Sequence, residues 1–338
     1  MSHMSKHGLI VFLFTLFAMN SFGQKEYTLK EIDSIRNQLN IQIKAAKSEY
    51  LEGFEIEHYL TDSSSRKELD STKVLYLQNM CGIDLPKRIF LEETQLIFVR
   101  IWFSDTCKNI KSIKPINSTI VSFVDLHKIE EKVNLSNQTM FLNIHDYDFA
   151  LNQNEEFFGE HNNIFSLSLF SCTGDNITNN IFNNFKKLKS LTLIAKDKYA
   201  DISNIKKFSV EELIINIDPN LPENLGILKN STNLKRLILT ETFVKYGQKQ
   251  NYFRKISPDI LDLKNLDFFR VNMTLSKKNL KVLTSMTFLD EIYLNLKGKI
   301  GSKRLTKFIN QLKNDLPNVN LILYDKNGEE IKLTNDNV

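Results

Sequence analysis

The chain has 338 residues, 42% of them hydrophobic and 25% charged, which excludes both wholesale disorder and a multi-span membrane protein. At that length it fits two compact domains or one long repeat array. The formal charge of +4 is spread with Lys and Arg interspersed among Asp and Glu, so no basic stripe tracks phosphates and nucleic acid is not an expected partner.

Residues 1–23 read as a signal peptide, because Lys6 precedes an uncharged apolar run from Leu9 to Met19 and small residues follow at Ser21 and Gly23. The run matches the apolar region of a leader and falls short of the roughly 20 residues needed to cross a bilayer. Cleavage is expected near Gly23–Gln24. The mature chain is then exported to a periplasm, a cell surface or the medium, with no stable membrane span after leader removal.

Residues 24–70 are predicted to form an N-terminal helical cap and a linker. Thr28 and Glu31 have the spacing of a capping box, and Leu29, Ile32, Ile35 and Leu39 follow at helical intervals. The pattern predicts an amphipathic helix over 28–50, with the Ser-rich, mixed-charge stretch 61–71 as linker.

From residue 71 to 325 a pattern recurs, apolar-x-x-apolar-x-apolar, with its central apolar residue at Leu75, Val99, Val121, Leu142, Leu167, Leu191, Leu213, Leu237, Phe269, Ile292 and Leu321. Eight of the ten intervals lie between 21 and 25 residues, a regularity that scattered strands would not hold. This predicts a solenoid of about eleven irregular repeats. Each unit contributes one strand and a return arm, and stacked neighbours share a continuous core that no single unit could bury alone. Residues 326–338 form the C-terminal hairpin cap and tail, since Asn327-Gly328 offers two positive-φ positions for a tight turn between Leu321–Tyr324 and Ile331–Leu333.

Leu188-Lys-Ser-Leu191-Thr-Leu193, Leu234-Lys-Arg-Leu237-Ile-Leu239 and Leu266-Asp-Phe-Phe269-Arg-Val271 carry the pattern most clearly. Return arms such as Ile83-Asp-Leu-Pro86-Lys-Arg-Ile89 and Ile256-Ser-Pro258-Asp-Ile260 accompany it. In these residues the chain resembles the leucine-rich-repeat family over about residues 70–325. The resemblance implies an α/β repeat solenoid, a curved array with a parallel concave β-sheet. It departs from the family where Asn or Cys usually follows the strand: only Cys172 matches, with Thr242, Thr274 and Ser104 as substitutes.

Within each strand side chains alternate, so the residues between the buried apolar positions face outward. This frame gathers Tyr76, Phe98, Arg100, Trp102, Phe141, His145 and Phe170 towards the N-terminal end, and Arg270 with Tyr293 towards the C-terminal end. Trp, Tyr and Arg dominate binding hot spots because they bury large areas while keeping a polar handle. Three readings stay open for the N-terminal group: a binding surface, residues covered by the N-terminal cap, or core residues if the frame is one position off. The expected partner is a protein or peptide. A cell-surface glycan is the alternative, with aromatic rings stacking on sugars.

No His-Glu-x-x-His, Gly-x-Ser-x-Gly or phosphate-binding glycine loop occurs, so neither an enzyme nor a cofactor is expected. A hydrolase using His145 with Asp146 or Asp148 is the remote alternative. No Cys/His metal spacing is present. Cys81 and Cys107 follow their strand anchors in adjacent repeats, where a disulfide could join them.

Overall fold

A computed structural model describes residues 26–52, 72–80, 96–104, 109–110, 117–125, 128–129, 133, 135–146, 163–172, 185–195, 210–216, 225, 228–229, 231–240 and 252–332. The leader, the 61–71 linker, the Pro86 arm, Cys81, Cys107, Asp148 and the last six residues lie outside them. The fold is a repeat solenoid built on a twelve-stranded parallel sheet. Its strands are β1 (Ser48–Glu52), β2 (Val74–Met80), β3 (Leu96–Phe103), β5 (Ser118–Val124), β7 (Phe141–His145), β8 (Ser166–Cys172), β9 (Ser190–Ala195), β10 (Glu212–Asn216), β11 (Arg236–Thr240), β12 (Phe268–Met273), β13 (Glu291–Leu296) and β14 (Asn320–Tyr324). They lie side by side in that order. Two-residue strands β4 (Asn109–Ile110) and β6 (Lys128–Ile129) pair in parallel apart from it. The chain divides into two compact units, residues 1–168 with 173–188, and residues 169–172 with 189–338.

In the first unit the strand anchors align in one row: Leu75 pairs with Val99, Val99 with Val121, and Val121 with Leu142. All four are buried, as are their i+2 neighbours Leu77, Ile101, Phe123 and Ile144. The spacing of apolar residues therefore sets both register and facing, because a one-residue slip would turn this whole set to the other face.

Strand β1 precedes the first repeat expected from the sequence. The helix predicted over 28–50 ends instead at Ala45, and Ser48–Glu52 pairs in register with Val74–Gln78. Glu49 stands in the anchor row opposite Leu75, so an apolar pattern search stops one strand too late. A charged, short strand suits a sheet edge, where it discourages pairing with other chains. Lys47 holds Glu49 at 2.8 Å.

Helix α1 (Leu29–Ala45) opens with the expected capping box: Glu31 N donates to Thr28 Oγ1, and Thr28 N donates to Glu31 Oε2 at 2.9 Å. Its apolar stripe packs Ile32 and Leu39, with Tyr27, onto Met140, Phe141 and Phe165. The Tyr27 and Phe165 rings meet edge to face at 4.9 Å, and Ile97 and Ile120 extend the same cluster.

The second unit repeats the arrangement. Leu191, Leu213, Leu237, Phe269, Ile292 and Leu321 align in register, and between β11 and β12 a 3-10 turn over Pro258–Asp262 forms the return arm. Ile256, Ile260, Leu263 and Leu266 are buried along it. Phe253, midway along the longest interval, is core and bridges to Met273. Helices α2 (Lys277–Thr284) and α3 (Lys303–Asp315) fill the last two arms; α3 buries Leu305, Phe308, Ile309 and Leu312, a helical i, i+3, i+4, i+7 stripe. Gly298 and Gly301 are accounted for by packing and turn geometry. A Cβ on Gly298 would stand 2.9 Å from Leu275 Cδ1, and Gly301 takes φ +81°.

Two details differ from expectation. Strand β14 does turn back, with an antiparallel bridge from Tyr324 to Glu330 and a bond from Ile331 N to Leu323 O, but only Gly328 of the turn has positive φ. The carboxylate of Asp325 accepts from Asn327 N and Glu329 N, so the aspartate, not a second left-handed residue, shapes the turn. The outward rows are also not uniformly open: Val74, Ser122, Ser190, Glu212 and Asn216 are buried. Ser190 Oγ donates to Glu212 Oε1 at 2.6 Å, so this pair is satisfied within the layer.

Candidate functional site

The outward face of β1–β3 in the first unit carries a continuous stack of planar groups. Parallel register places Tyr50 beside Tyr76, Tyr76 beside Arg100, and Arg100 beside Ser122. The Tyr50 and Tyr76 rings stack at 4.5 Å and 6°. Tyr76 meets Trp102 at 6.0 Å and 28°, and Phe98 at 5.7 Å. The Arg100 guanidinium lies over Trp102 at 5.2 Å and Phe98 at 5.7 Å, its neighbours two residues along the same strand. Arg100 Nε donates to Ser122 Oγ at 3.2 Å. Tyr50 closes the stack and stays 60% exposed.

The electrostatics follow from this packing. Burial lowers the proton affinity of Arg100, with the Tyr76 phenol opposing that effect, and the guanidinium remains a cation. Burial raises the Tyr76 phenol, and the adjoining Tyr50 adds to the rise while Arg100 counters it. His145, at the end of β7, is held down to about 4 by burial and then by Arg100, with Asp146 pulling the other way. Its imidazole is therefore neutral at ordinary pH, leaving Arg100 as the cation of this group.

Of the residues gathered by the sequence frame, Tyr76, Phe98, Arg100 and Trp102 do converge, and His145 joins them electrostatically. Phe141 does not belong to an open surface. It is buried beneath α1, with Arg36 over its ring at 5.9 Å, because the apolar stripe of the helix needs an apolar floor and the start of β7 supplies it. Phe170 belongs to the second unit, where its carbonyl accepts from Cys172 Sγ at 3.4 Å. Tyr50 went unpredicted because Glu49 hides β1 from the repeat pattern. The Tyr-Leu dipeptide shared by Tyr50-Leu51 and Tyr76-Leu77 is the signal that could have found it.

The second unit bears a smaller group of the same kind. Arg270 lies 4.2 Å over the Tyr293 ring, and Tyr293 stacks on Tyr324 at 5.0 Å and 25°. Burial raises the Tyr293 phenol, and its hydrogen bond with Tyr324 adds to the shift. Elsewhere in this unit Glu211 accepts from Lys189 at 2.7 Å and Lys235 at 2.9 Å. Burial raises its carboxyl, but those two lysines outweigh it and bring it below the usual range. The three residues stand at successive strand starts, and Glu211 and Lys235 line an open cleft of about 480 Å³ with Lys264, Asn265 and Asp267. Its central acid is already saturated by protein cations.

Among the described residues no three His, Cys, Asp or Glu side chains converge as a metal site. Asp146 takes φ 53° in the turn after β7. Among the same residues no helix is long and apolar enough to cross a membrane. No protein-family model matches the sequence, and no curated protein sequence matches it.

Proposed function

We propose that this chain is an exported leucine-rich-repeat recognition protein that binds a protein or peptide through the open face of its parallel sheet, and that it works as a binder, not an enzyme. The repeat reading is supported by the aligned anchors and by Thr274, whose hydroxyl donates to the carbonyls of Phe253 and Arg254, the bracing role that Asn or Cys has in such repeats. Export is supported by the leader-like segment over residues 1–23.

The observation that carries the functional reading is the Tyr50–Tyr76–Trp102 stack beside Arg100. These are the residue types that anchor interfaces, held on strands whose geometry is set before a partner arrives, so little ordering entropy is lost on binding. A sugar platform needs open ring faces. Here the faces of Tyr76 and Trp102 are turned to neighbouring rings and Arg100 caps Trp102 and Phe98, which weighs towards a protein or peptide; the exposed Tyr50 is the one observation favouring a glycan.

The test is comparative capture from native envelope and medium with wild-type chain and the double variant R100A/W102A. A partner retained by the wild type and lost by a folded double variant supports the reading. Equal retention by both removes the patch from the binding surface.

A further inference from the structure

We propose that the partner presents a carboxylate to Arg100, making the ligand of this face an acidic peptide. The proposal rests on the recognition reading above and adds the chemistry of what is recognised.

Arg100 is half-buried between Phe98 and Trp102. Among the described residues one of its five N–H donors is used, by Ser122 Oγ at 3.2 Å. Among the described residues no carboxylate forms an ion pair with it, whereas Arg36, Lys47, Lys189, Lys235 and Arg236 each have one. A partly desolvated cation without a counter-charge is costly to keep. Here it is also flanked by two rings and bonded to a hydroxyl through Nε, and no described residue accepts from its terminal nitrogens. A planar fork of that kind matches a carboxylate through two parallel charge-assisted hydrogen bonds.

The surroundings narrow the ligand further. His145 is neutral, Tyr76 and Ser122 are uncharged, and the one carboxylate in this electrostatic group, Asp146, acts on His145; among the described residues Arg100 therefore offers a single cation, and a phosphate dianion would lack its second positive partner. Tyr50, Tyr76 and Trp102 stack on one another across β1–β3, so the faces of Tyr76 are taken by its neighbours and its edge is left for a ligand. Aromatic edges carry partial positive charge, which favours an anion beside them, and Tyr50 at the end of the stack is the exposed ring. An extended peptide laid along the sheet can place an acidic side chain over Arg100 and apolar atoms against the rim of Tyr50. The second unit uses the same device, since Arg270 lies over Tyr293 and forms no ion pair among the described residues.

The experiment selects a displayed random-peptide library on the full-length chain, on R100Q and on the doubly truncated Y76A/W102A, with circular dichroism confirming that each is folded. The wild type is expected to enrich Asp- and Glu-containing peptides, and R100Q to lose that enrichment. A selected peptide is then synthesised with a twin carrying Gln for Glu and titrated by fluorescence of Trp102, the chain's single tryptophan. The acidic form should bind about tenfold tighter than its twin to the wild type and equally to R100Q. Selected peptides with no acidic bias would overturn the carboxylate inference while leaving peptide recognition standing. Enrichment no greater on the wild type than on Y76A/W102A would overturn the recognition reading itself. Tighter binding of an oligogalacturonate than of the best acidic peptide would overturn the peptide assignment.

Discussion

Phe268 and Phe269 are adjacent, identical in chemistry and on opposite faces of β12, so truncating each in turn tests the frame on which every facing assignment depends. Phe269 is fully buried in the anchor row between Leu237 and Ile292. Phe268 is partly exposed between Arg236 and Glu291. Phe269→Ala removes a ring from a closed core and should cost about 3–5 kcal/mol; Phe268→Ala removes one that is partly wet and should cost about 1 kcal/mol. In a solenoid that loss falls on the coil and its neighbours. Hydrogen exchange read by mass spectrometry over β11–β13 should therefore lose about two to three and a half powers of ten in protection for Phe269→Ala, at about 1.4 kcal/mol per decade, with urea titration giving the global figure. Equal losses from the two variants, or a larger one from Phe268→Ala, would refute the facing of this strand and with it the composition of the open surface.

The neutral His145 makes stability depend on pH. Its folded value of about 4 lies below its ordinary 6.5, so the unfolded chain takes up the proton first as pH falls. Stability is full above pH 6.5 and declines towards pH 4, by about 1–2 kcal/mol once partial solvent screening is allowed for. Thermal melts across that window should show the decline, and His145→Phe should flatten it. A nuclear magnetic resonance titration of the imidazole should shift upward in R100Q, and an unmoved titration would separate the two residues. Asn279, fully buried at the start of α2, accepts from Ile256 N at 2.9 Å and donates to the carbonyls of Arg254 and Thr274. Asn279→Ala strands those groups and should cost about 2–4 kcal/mol. A melting point within a degree of wild type would show that the 253–257 segment is held by something else.

The repeat and its register are legible in the sequence, because burial on one face demands an apolar residue at each equivalent place. That demand writes Leu75, Val99, Val121 and Leu142 into the sequence at nearly even spacing, and Leu191 through Leu321 likewise. The capping box at Thr28 was legible for the same local reason, since both partners lie within one helical turn. The pattern also placed Arg100, Trp102 and Tyr76 on one face. What it did not reveal depended on contacts between segments distant in the chain. Glu49 breaks the apolar rule, yet β1 joins the sheet because its backbone finds a partner in β2, and only that pairing brings Tyr50 to Tyr76. Phe141 obeys the outward pattern and is still buried, because α1 lies on it. Nor does any spacing say that stacked rings would turn their faces to one another and to a guanidinium. Periodicity records which side chains leave water along a single strand; which segments then cover or flank the remainder is settled by packing across the chain, and it is that packing which leaves Arg100 ringed by aromatic groups and without a counter-charge among its described neighbours.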